Sequence, residues 1–479
     1  MKKTAVFVGT LLLAAPLYAT TFVEQGAAAF ESQKREFYNS VGTWSMCAPA
    51  TCGITVTDWG ADSMTLALYL RWLTTGDPSV VPMMAALADR QATYQPGSNQ
   101  RSDVPLADSV VQSRAYAVTH DPKALGRAKA GFAYIDSWQA SAFARGACPS
   151  ISYREANGGN NHLKTLETDA NYVKAALLLY SFTQDESYLD KAMMKYDAIR
   201  RYFLDPNVPL YTVYLFDDGK TCTQTPARFF ASVNGTMIWN GYELYRQTHG
   251  TGYRDDAYAT ARAVQQHLAD ATGVYVNLQA ENDVVEPLVE AMYTLSADAN
   301  QDYATAWIVD NAAAMASGLH SNGIPPRLFN GPATNYSTAT LWQANGGYAL
   351  QYAAAKVAAS HVASSGYWNP FISMTYGLTV TTTAQSFIFT GRAIALIGPI
   401  GEHCCETGHA RVFIDGIETF DKTGIWQNKS AAGVVLPESV LFAWRWPSTG
   451  THMITIAPGV RNDKEGGSYF HMTRYDFVP

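Results

Sequence analysis

The chain of 479 residues has no HExxH pair of the kind zinc peptidases use, no GxSxG elbow and no glycine-rich phosphate loop behind a strand. Those absences set aside zinc peptidases, esterases and nucleotide enzymes. Charge is also scarce. Asp, Glu, Lys and Arg make up 16% of the residues and the formal net charge is −7. Such a balance leaves no basic face, which argues against a nucleic-acid partner. The six cysteines, Cys47, Cys52, Cys148, Cys222, Cys404 and Cys405, lack CxxC spacing and paired histidines. A zinc site is therefore not expected, and no cofactor is implied. After the first few turns of sequence no apolar run reaches the roughly 20 residues that cross a bilayer.

What is present begins with an export pattern. Met1-Lys2-Lys3 precedes a nearly all-apolar run from Ala5 to Ala15, and Leu17-Tyr18-Ala19 offers a small residue for cleavage. This reads as a signal peptide over residues 1–19, with a secreted or periplasmic mature chain and no membrane span in it. An uncleaved anchor is the alternative. In an oxidising compartment an even cysteine count suggests disulfides. Cys47–Cys52 would close a small loop and Cys148–Cys222 could staple two loops. Cys404 and Cys405 could pair with each other, stay free or pair elsewhere. A hydrophobic content of 47% rules out a disordered chain. The length exceeds one ordinary core, so two domains or one large barrel are expected.

Residues from about 60 to 360 read mainly as helix, with Ala, Leu, Met and Tyr at three- and four-residue spacing. Asp62 to Trp72 and Asp169 to Phe182 are examples. A weak repeat runs through them: a helix ends on an aromatic or Leu, breaks at Thr-x-Asp, and the next helix starts. Its copies include Thr75-Gly-Asp77-Pro, Thr119-His-Asp121-Pro, Thr183-Gln-Asp185 and Thr248-His-Gly. Asp or Thr in such a turn can cap the following helix. Helix pairs that bury their faces only against neighbours stack, and five or six of them can close into an (α/α)6 toroid. An open solenoid is the alternative. Near residue 365 the pattern changes to short β-rich runs, from Leu378 to Thr383, Gln385 to Phe389, Ala393 to Ile397, Ala410 to Ile414, Val440 to Trp446 and His452 to Ile456. Turn residues separate them, as expected of an antiparallel sandwich or jelly roll. The predicted architecture is thus multidomain: a signal peptide at 1–19, an all-α toroid at 20–364 and an all-β sandwich at 365–479.

Two segments carry a resemblance. Thr168-Asp169-Ala170-Asn171-Tyr172 through Thr183-Gln-Asp185-Glu-Ser-Tyr188-Leu189, and Val233-Asn234-Gly235-Thr236 through Thr248, resemble the six-hairpin glycosidases. They look most like family 76 of the glycoside hydrolases, the α-1,6-mannanases. In that family two consecutive aspartates precede such a helix as acid and nucleophile. Thr168 and Asp169 stand in those two places here. The tail, through Phe389-Thr-Gly391, Val412-Phe-Ile-Asp415-Gly416 and Gly450-Thr-His452, resembles jelly-roll carbohydrate-binding modules. The resemblance implies a polysaccharide or oligosaccharide substrate and glycoside hydrolysis.

Glycosidic cleavage needs two carboxyl groups flanking the bond. In a helical toroid they belong near the helix ends that line the cleft. Asp58 and Asp62 flank Trp59 ahead of an apolar helix, and Asp62 is also a plausible cap. Asp169, with Glu167 two residues earlier, holds the place of the second family aspartate. The expected catalytic set is Asp62 and Asp169, with Asp58 and Glu167 in reserve. Asp103 and Asp108 read as solvated or capping acids. Glu286 and Glu290 read as first-turn acids that favour the helix dipole. Asp217-Asp218 and Asp255-Asp256 read as a turn and a helix face. Aromatics reach 12% of the chain, and Trp59, Tyr172, Trp239 and Trp342 are the expected sugar platforms. Asn160-Asn161-His162 is similar to a group in toroidal alginate lyases, where Asn and His neutralise a uronate and a Tyr moves the protons. Asn161, His162 and Tyr172 or Tyr211 would serve a polysaccharide lyase, the second enzyme reading. A non-catalytic glycan-binding protein is the third.

Overall fold

The computed structural model describes residues 20–39, 42–50, 55–56, 58–91, 102–139, 145–154, 162–225, 229–276, 284–333, 339–358, 367–368, 370–380, 382–400, 409–419, 425–426, 436–459 and 470–479. The proposed signal peptide, Cys52, Cys404, Cys405 and Asn161 lie outside the described residues, as does the side chain of Asp58.

Among the described residues the first part is twelve helices: α1 (Phe22–Phe37), α2 (Asp58–Thr75), α3 (Val80–Gln91), α4 (Asp103–Thr119), α5 (Pro122–Gln139), α6 (Leu166–Thr183), α7 (Glu186–Phe203), α8 (Ala231–Thr248), α9 (Thr251–His267), α10 (Glu286–Ala297), α11 (Asp302–Ala316) and α12 (Leu341–Val357). Each even-numbered helix packs on the next even-numbered one, and α12 packs back on α2, so six helices close a ring. The odd-numbered helices form an outer layer. Sequence explains the division. α4 and α6 are buried nearly all round, as only an inner helix can be. α7 buries Leu189, Ala192, Lys195, Tyr196, Ile199 and Phe203, a single stripe at three- and four-residue spacing. The closed (α/α)6 toroid is the expected one, and α1 is a helix that the sequence reading placed no pattern on.

The Thr-x-Asp repeat is the turn from inner to outer helix. At Thr183-Gln184-Asp185 the Thr hydroxyl donates to the Leu179 carbonyl (2.8 Å) and accepts from the Asp185 N–H (3.3 Å), while Asp185 accepts from the Ser187 N–H (3.0 Å). Thr119-His120-Asp121 and Thr75-Gly76-Asp77 repeat these bonds. The middle residue is left-handed in each, at Gln184, His120 and Gly76. One Thr thus ends a helix and one Asp starts the next.

Glycines set how closely the inner helices approach. A Cβ on Gly235 of α8 would lie 2.2 Å from the Leu288 backbone nitrogen on α10. Backbone cannot move aside as a side chain can. Gly235→Ala is therefore expected to cost at least about 1–3 kcal/mol through overpacking, read as a fall in the denaturant midpoint. An unchanged midpoint would show that this helix contact is looser than described.

The second part is antiparallel sheet, as the strand pattern predicts. β6 (Ile372–Val380), β7 (Gln385–Ile400), β8 (His409–Ile414), β9 (Ile417–Glu418), β10 (Ile425–Trp426), β11 (Leu436–Pro458) and β12 (Phe470–Val478) follow five short strands in the helical part, β1 (Cys47–Ala48), β2 (Leu163–Thr165), β3 (Tyr214–Asp217), β4 (Cys222–Gln224) and β5 (Ala339–Thr340). The order is β10-β8-β11-β7-β12-β6, with β9 on β8. Pairs of expected strands merge into single long ones. β7 runs through Gly391 and β11 through Gly450, and these two glycines pair with each other. Gly391 is not a turn: a Cβ there would meet the Val478 carbonyl at 2.5 Å, so the glycine admits β12. The sheet rests on the ring through the α11–α12 connection. Asn330 donates to the Ala443 carbonyl (2.8 Å) and to Asp270 (3.0 Å), and the Trp368 indole donates to the Asn330 carbonyl (2.9 Å).

Candidate active site

Connection lengths locate the site. Every short turn, such as 120–121, 184–185 and 249–250, follows an inner helix. Every long connection, 38–57, 92–102, 140–165, 204–230, 268–285 and 317–340, precedes one. The N-terminal ends of all six inner helices, with the described parts of the long segments before them, therefore share one face, where the helix dipoles put partial positive charge. Three of these segments hold disulfide-bonded cysteines. Cys148 and Cys222 form the expected disulfide, and Cys47 is also disulfide-bonded. Buried Lys164 donates to the carbonyls of Arg145 (2.7 Å), Cys148 (2.6 Å) and Ile151 (2.8 Å).

Helical spacing decides which side chains face the lumen. Asp62 and Tyr69 lie seven apart on α2, Glu167 and Lys174 seven apart on α6, and Glu286, Glu290 and Tyr293 at four and three on α10. On these lines Asp62 and Tyr293 each keep 9% exposure, and Trp239 of α8 and Trp342 of α12 keep 8% and 9%.

A charged bridge crosses the lumen. Glu290 accepts from Lys174 (2.7 Å) and from Arg114, whose guanidinium lies over the rings of Tyr69 (4.2 Å) and Trp239 (5.3 Å). Burial works to raise the Glu290 carboxyl, but the two cations outweigh it and hold Glu290 below the usual carboxylate range. Asp62 is in the field of the same three groups. Burial pushes it up to about 6, the Glu290 charge adds to the rise, and Lys174 and Arg114 oppose it. Glu286 is pushed up to about 7, chiefly by burial, against a hydrogen bond from Ser63. That bond, 2.6 Å, ends a buried chain: the Tyr352 hydroxyl donates to Gln33, Gln33 to Asn345, Asn345 to Ser63, and Ser63 to Glu286.

A carboxyl that is harder to ionise in the fold than in the unfolded chain stabilises the fold only while both states keep the proton. For Glu286 that stability is complete below about pH 4.5, and it is lost as pH rises towards 7. Stability is therefore expected to fall across this interval, by up to roughly 3 kcal/mol from this group. Glu286→Gln should flatten the fall in melting temperature between pH 5 and 7. A melting curve with the same pH slope in both proteins would contradict the assignment.

The structure brings only part of the expected set together. Asp62 faces the lumen. Trp59 lies at its mouth and donates its indole N–H to Asp103 (3.1 Å). Trp239 and Trp342 line it. Asp169 does not reach it. It is fully buried, accepts from the Ser152 amide (2.9 Å) and hydroxyl (2.8 Å), and pairs with Lys195 of α7 at 3.0 Å. It ties α6 to the outer layer, and Thr168, fully buried beside it, is hydrogen-bonded to Ser102 (2.6 Å). Tyr172 also points outward: its hydroxyl donates to Asp136 of α5 (2.5 Å). Glu167 is half-buried, and its carboxylate accepts from Thr165 (3.1 Å). His162 is exposed, left-handed at φ 55°, and packs edge-on to Phe216. Tyr211 is buried under α8.

Two pairs of acids that the sequence pattern marks as structural are interior. Asp103 and Asp108 are not solvated acids ahead of a helix. α4 begins at Asp103, because Pro105 fits a first turn, and both aspartates are buried. Glu286 and Glu290 are lumen groups, not dipole partners at a surface. The available signal was charge in unusual places: Arg114 and Lys174 sit mid-helix among apolar residues, and so does Glu290.

The fold is that of a six-hairpin toroid with a β-sheet appendage. No protein-family model and no curated protein matches the chain, but solved structures do. An α-1,6-mannanase of glycoside hydrolase family 76 from Salegentibacter sp. HEL1_6, an inactive variant with two consecutive aspartates replaced by alanine and bound to α-1,6-mannotetrose, is 20% identical with a TM-score of 0.61, over 71% of this chain and 100% of that one. A family 76 α-mannanase of Bacteroides thetaiotaomicron is 15% identical with a TM-score of 0.58, over 70% and 96%. Dfg5 from Chaetomium thermophilum, in complex with glucosamine, is 14% identical with a TM-score of 0.53, over 72% and 92%. Among the described residues no inner helix begins with two consecutive aspartates.

Proposed function

We propose that the protein is a secreted or periplasmic glycoside hydrolase that cleaves a polysaccharide, with an α-linked mannan as its substrate class, at the mouth of the six-helix lumen. Asp62 is the proton donor and Asp103, at the start of the neighbouring inner helix, is the second carboxyl. The observation that carries this reading is Asp62: a lumen-facing carboxyl, still partly exposed, that burial keeps protonated to about pH 6 in a fold shared with mannanases.

Asp62 gives its proton to the glycosidic oxygen as the bond to the anomeric carbon breaks. Asp103 either attacks that carbon, forming a glycosyl ester that water then hydrolyses with Asp62 taking the water's proton, or itself takes a proton from the water that attacks; in both cases water supplies the new hydroxyl. Both lie at a mouth where helix dipoles favour negative charge. Trp59 presents a ring face to the sugars at the mouth, and Trp239, which carries Arg114 and Lys174 over its ring, and Trp342 wall the lumen. The lyase reading is weakened, because the Tyr172 hydroxyl it would use is spent on Asp136.

The test is a screen of purified protein against polysaccharides including α-1,6-mannan, reading new reducing ends and near-ultraviolet absorbance. Reducing ends without absorbance are expected. Absorbance rising in step would indicate elimination, and binding without either signal would leave a glycan-binding protein.

A further inference from the structure

We propose that Glu290, clamped between Arg114 and Lys174, is a positioning residue for Asp62: it fixes both cations inside the lumen and so decides the charge which that carboxyl faces. The inference rests on Asp62 as proton donor.

The clamp is built from five of the six inner helices. Glu290 of α10 gives one carboxylate oxygen to Arg114 of α4 and the other to Lys174 of α6. Arg114 lies over Tyr69 of α2, and Arg114 and Lys174 share the ring of Trp239 on α8, at 5.3 and 5.5 Å. All three charged groups are buried. A fold gains little from such a cluster, since taking charges from water costs about what their attraction returns and apolar residues often serve as well. A buried charge cluster facing a partly exposed carboxyl is instead a mark of a working site.

The charged groups facing Asp62 come from every side. α4 contributes Arg114 and, in its first turn, the second carboxyl Asp103, α6 contributes Lys174, and α10 both Glu290 and Glu286. α12 contributes uncharged Asn345, and the charged residues of α3, Asp89 and Arg90, are exposed on the outside. Removing the Glu290 charge leaves two cations without their anion, which favours ionised Asp62. Removing the Lys174 charge does the opposite, because Glu290 is then less neutralised. The two substitutions must therefore move Asp62 in opposite directions, which loss of packing alone would not do.

The experiment titrates the full-length folded protein labelled with ¹³C at the aspartate Cγ, with Asp62→Asn identifying the Asp62 signal. Glu290→Gln is expected to lower its midpoint and Lys174→Met to raise it, each by about one pH unit. The alkaline limb of kcat/KM on a cleaved glycan is expected to move with it. If Glu290→Gln does not fold, Glu290→Asp, which withdraws the carboxylate by one methylene, should give a smaller shift of the same sign. Midpoints that stay still, or that move together, would overturn the proposal. Opposite shifts in a protein that cleaves no glycan would uphold the clamp and remove the hydrolase reading instead.

Discussion

Asp62→Asn is expected to lower kcat/KM by about 10²–10⁴-fold, the contribution of a positioned general acid, with the fold intact. Asparagine keeps the shape of the carboxyl and cannot donate its proton. The loss should fall on kcat, because the amide can still hydrogen-bond a bound sugar. Thermal stability should hold or rise near pH 7. With Asp62 raised to about 6, the fold must ionise a buried carboxyl as pH climbs from about 4 through 6, and stability from this group is lost over that window. The variant has nothing to ionise. In the unsubstituted protein activity should decline above about pH 6, reaching roughly a tenth at pH 7 as the acid form disappears. An Asp62→Asn protein that is folded and retains most of its activity would remove Asp62 from the chemistry.

Asp169→Asn is expected to give the reverse signature. Asp169 is fully buried and holds Lys195 and both donors of Ser152. Removing its charge strands a buried ammonium, a loss of about 3–5 kcal/mol, seen as a lower denaturant midpoint. Activity per folded molecule should be unchanged, since the side chain faces α7. Full stability with lost turnover would mean that Asp169 reaches the lumen after all, and would return it to the catalytic set beside Asp62.

The fold was more legible than the site. Inner helices announce themselves by apolar residues on every side, outer helices by a stripe, and the inner-to-outer turns by Thr-x-Asp, so the toroid and the following sheet could be read from local pattern. Sheet detail could not. Gly391 and Gly450 look like breaks but lie opposite each other inside long strands, a fact of pairing rather than of composition. The site was harder because a first-turn acid has the same local sequence whether it caps a helix, ties layers together or faces a cleft. Asp103 and Asp169 share that setting, and Asp62 lies one turn into its helix, which starts at Asp58 and not at Asp62 itself; rotation about the helix separates them. Asp169 turns towards Lys195, whereas Asp62 turns towards Lys174. The clue that sequence did offer was the cost of charge in apolar helices: Arg114, Lys174 and Glu290 had to be paired, and three such residues on three inner helices can meet only in the lumen.

The central claim is that this lumen hydrolyses a glycan through Asp62. The direct measurement is release of reducing ends from α-1,6-mannan and a wider glycan panel at pH 5–6, by the unsubstituted protein and by Asp62→Asn side by side. New reducing ends from the first, without near-ultraviolet absorbance, and about a hundredfold fewer from the second are predicted. Equal release by both proteins, or release accompanied by absorbance, would contradict the account.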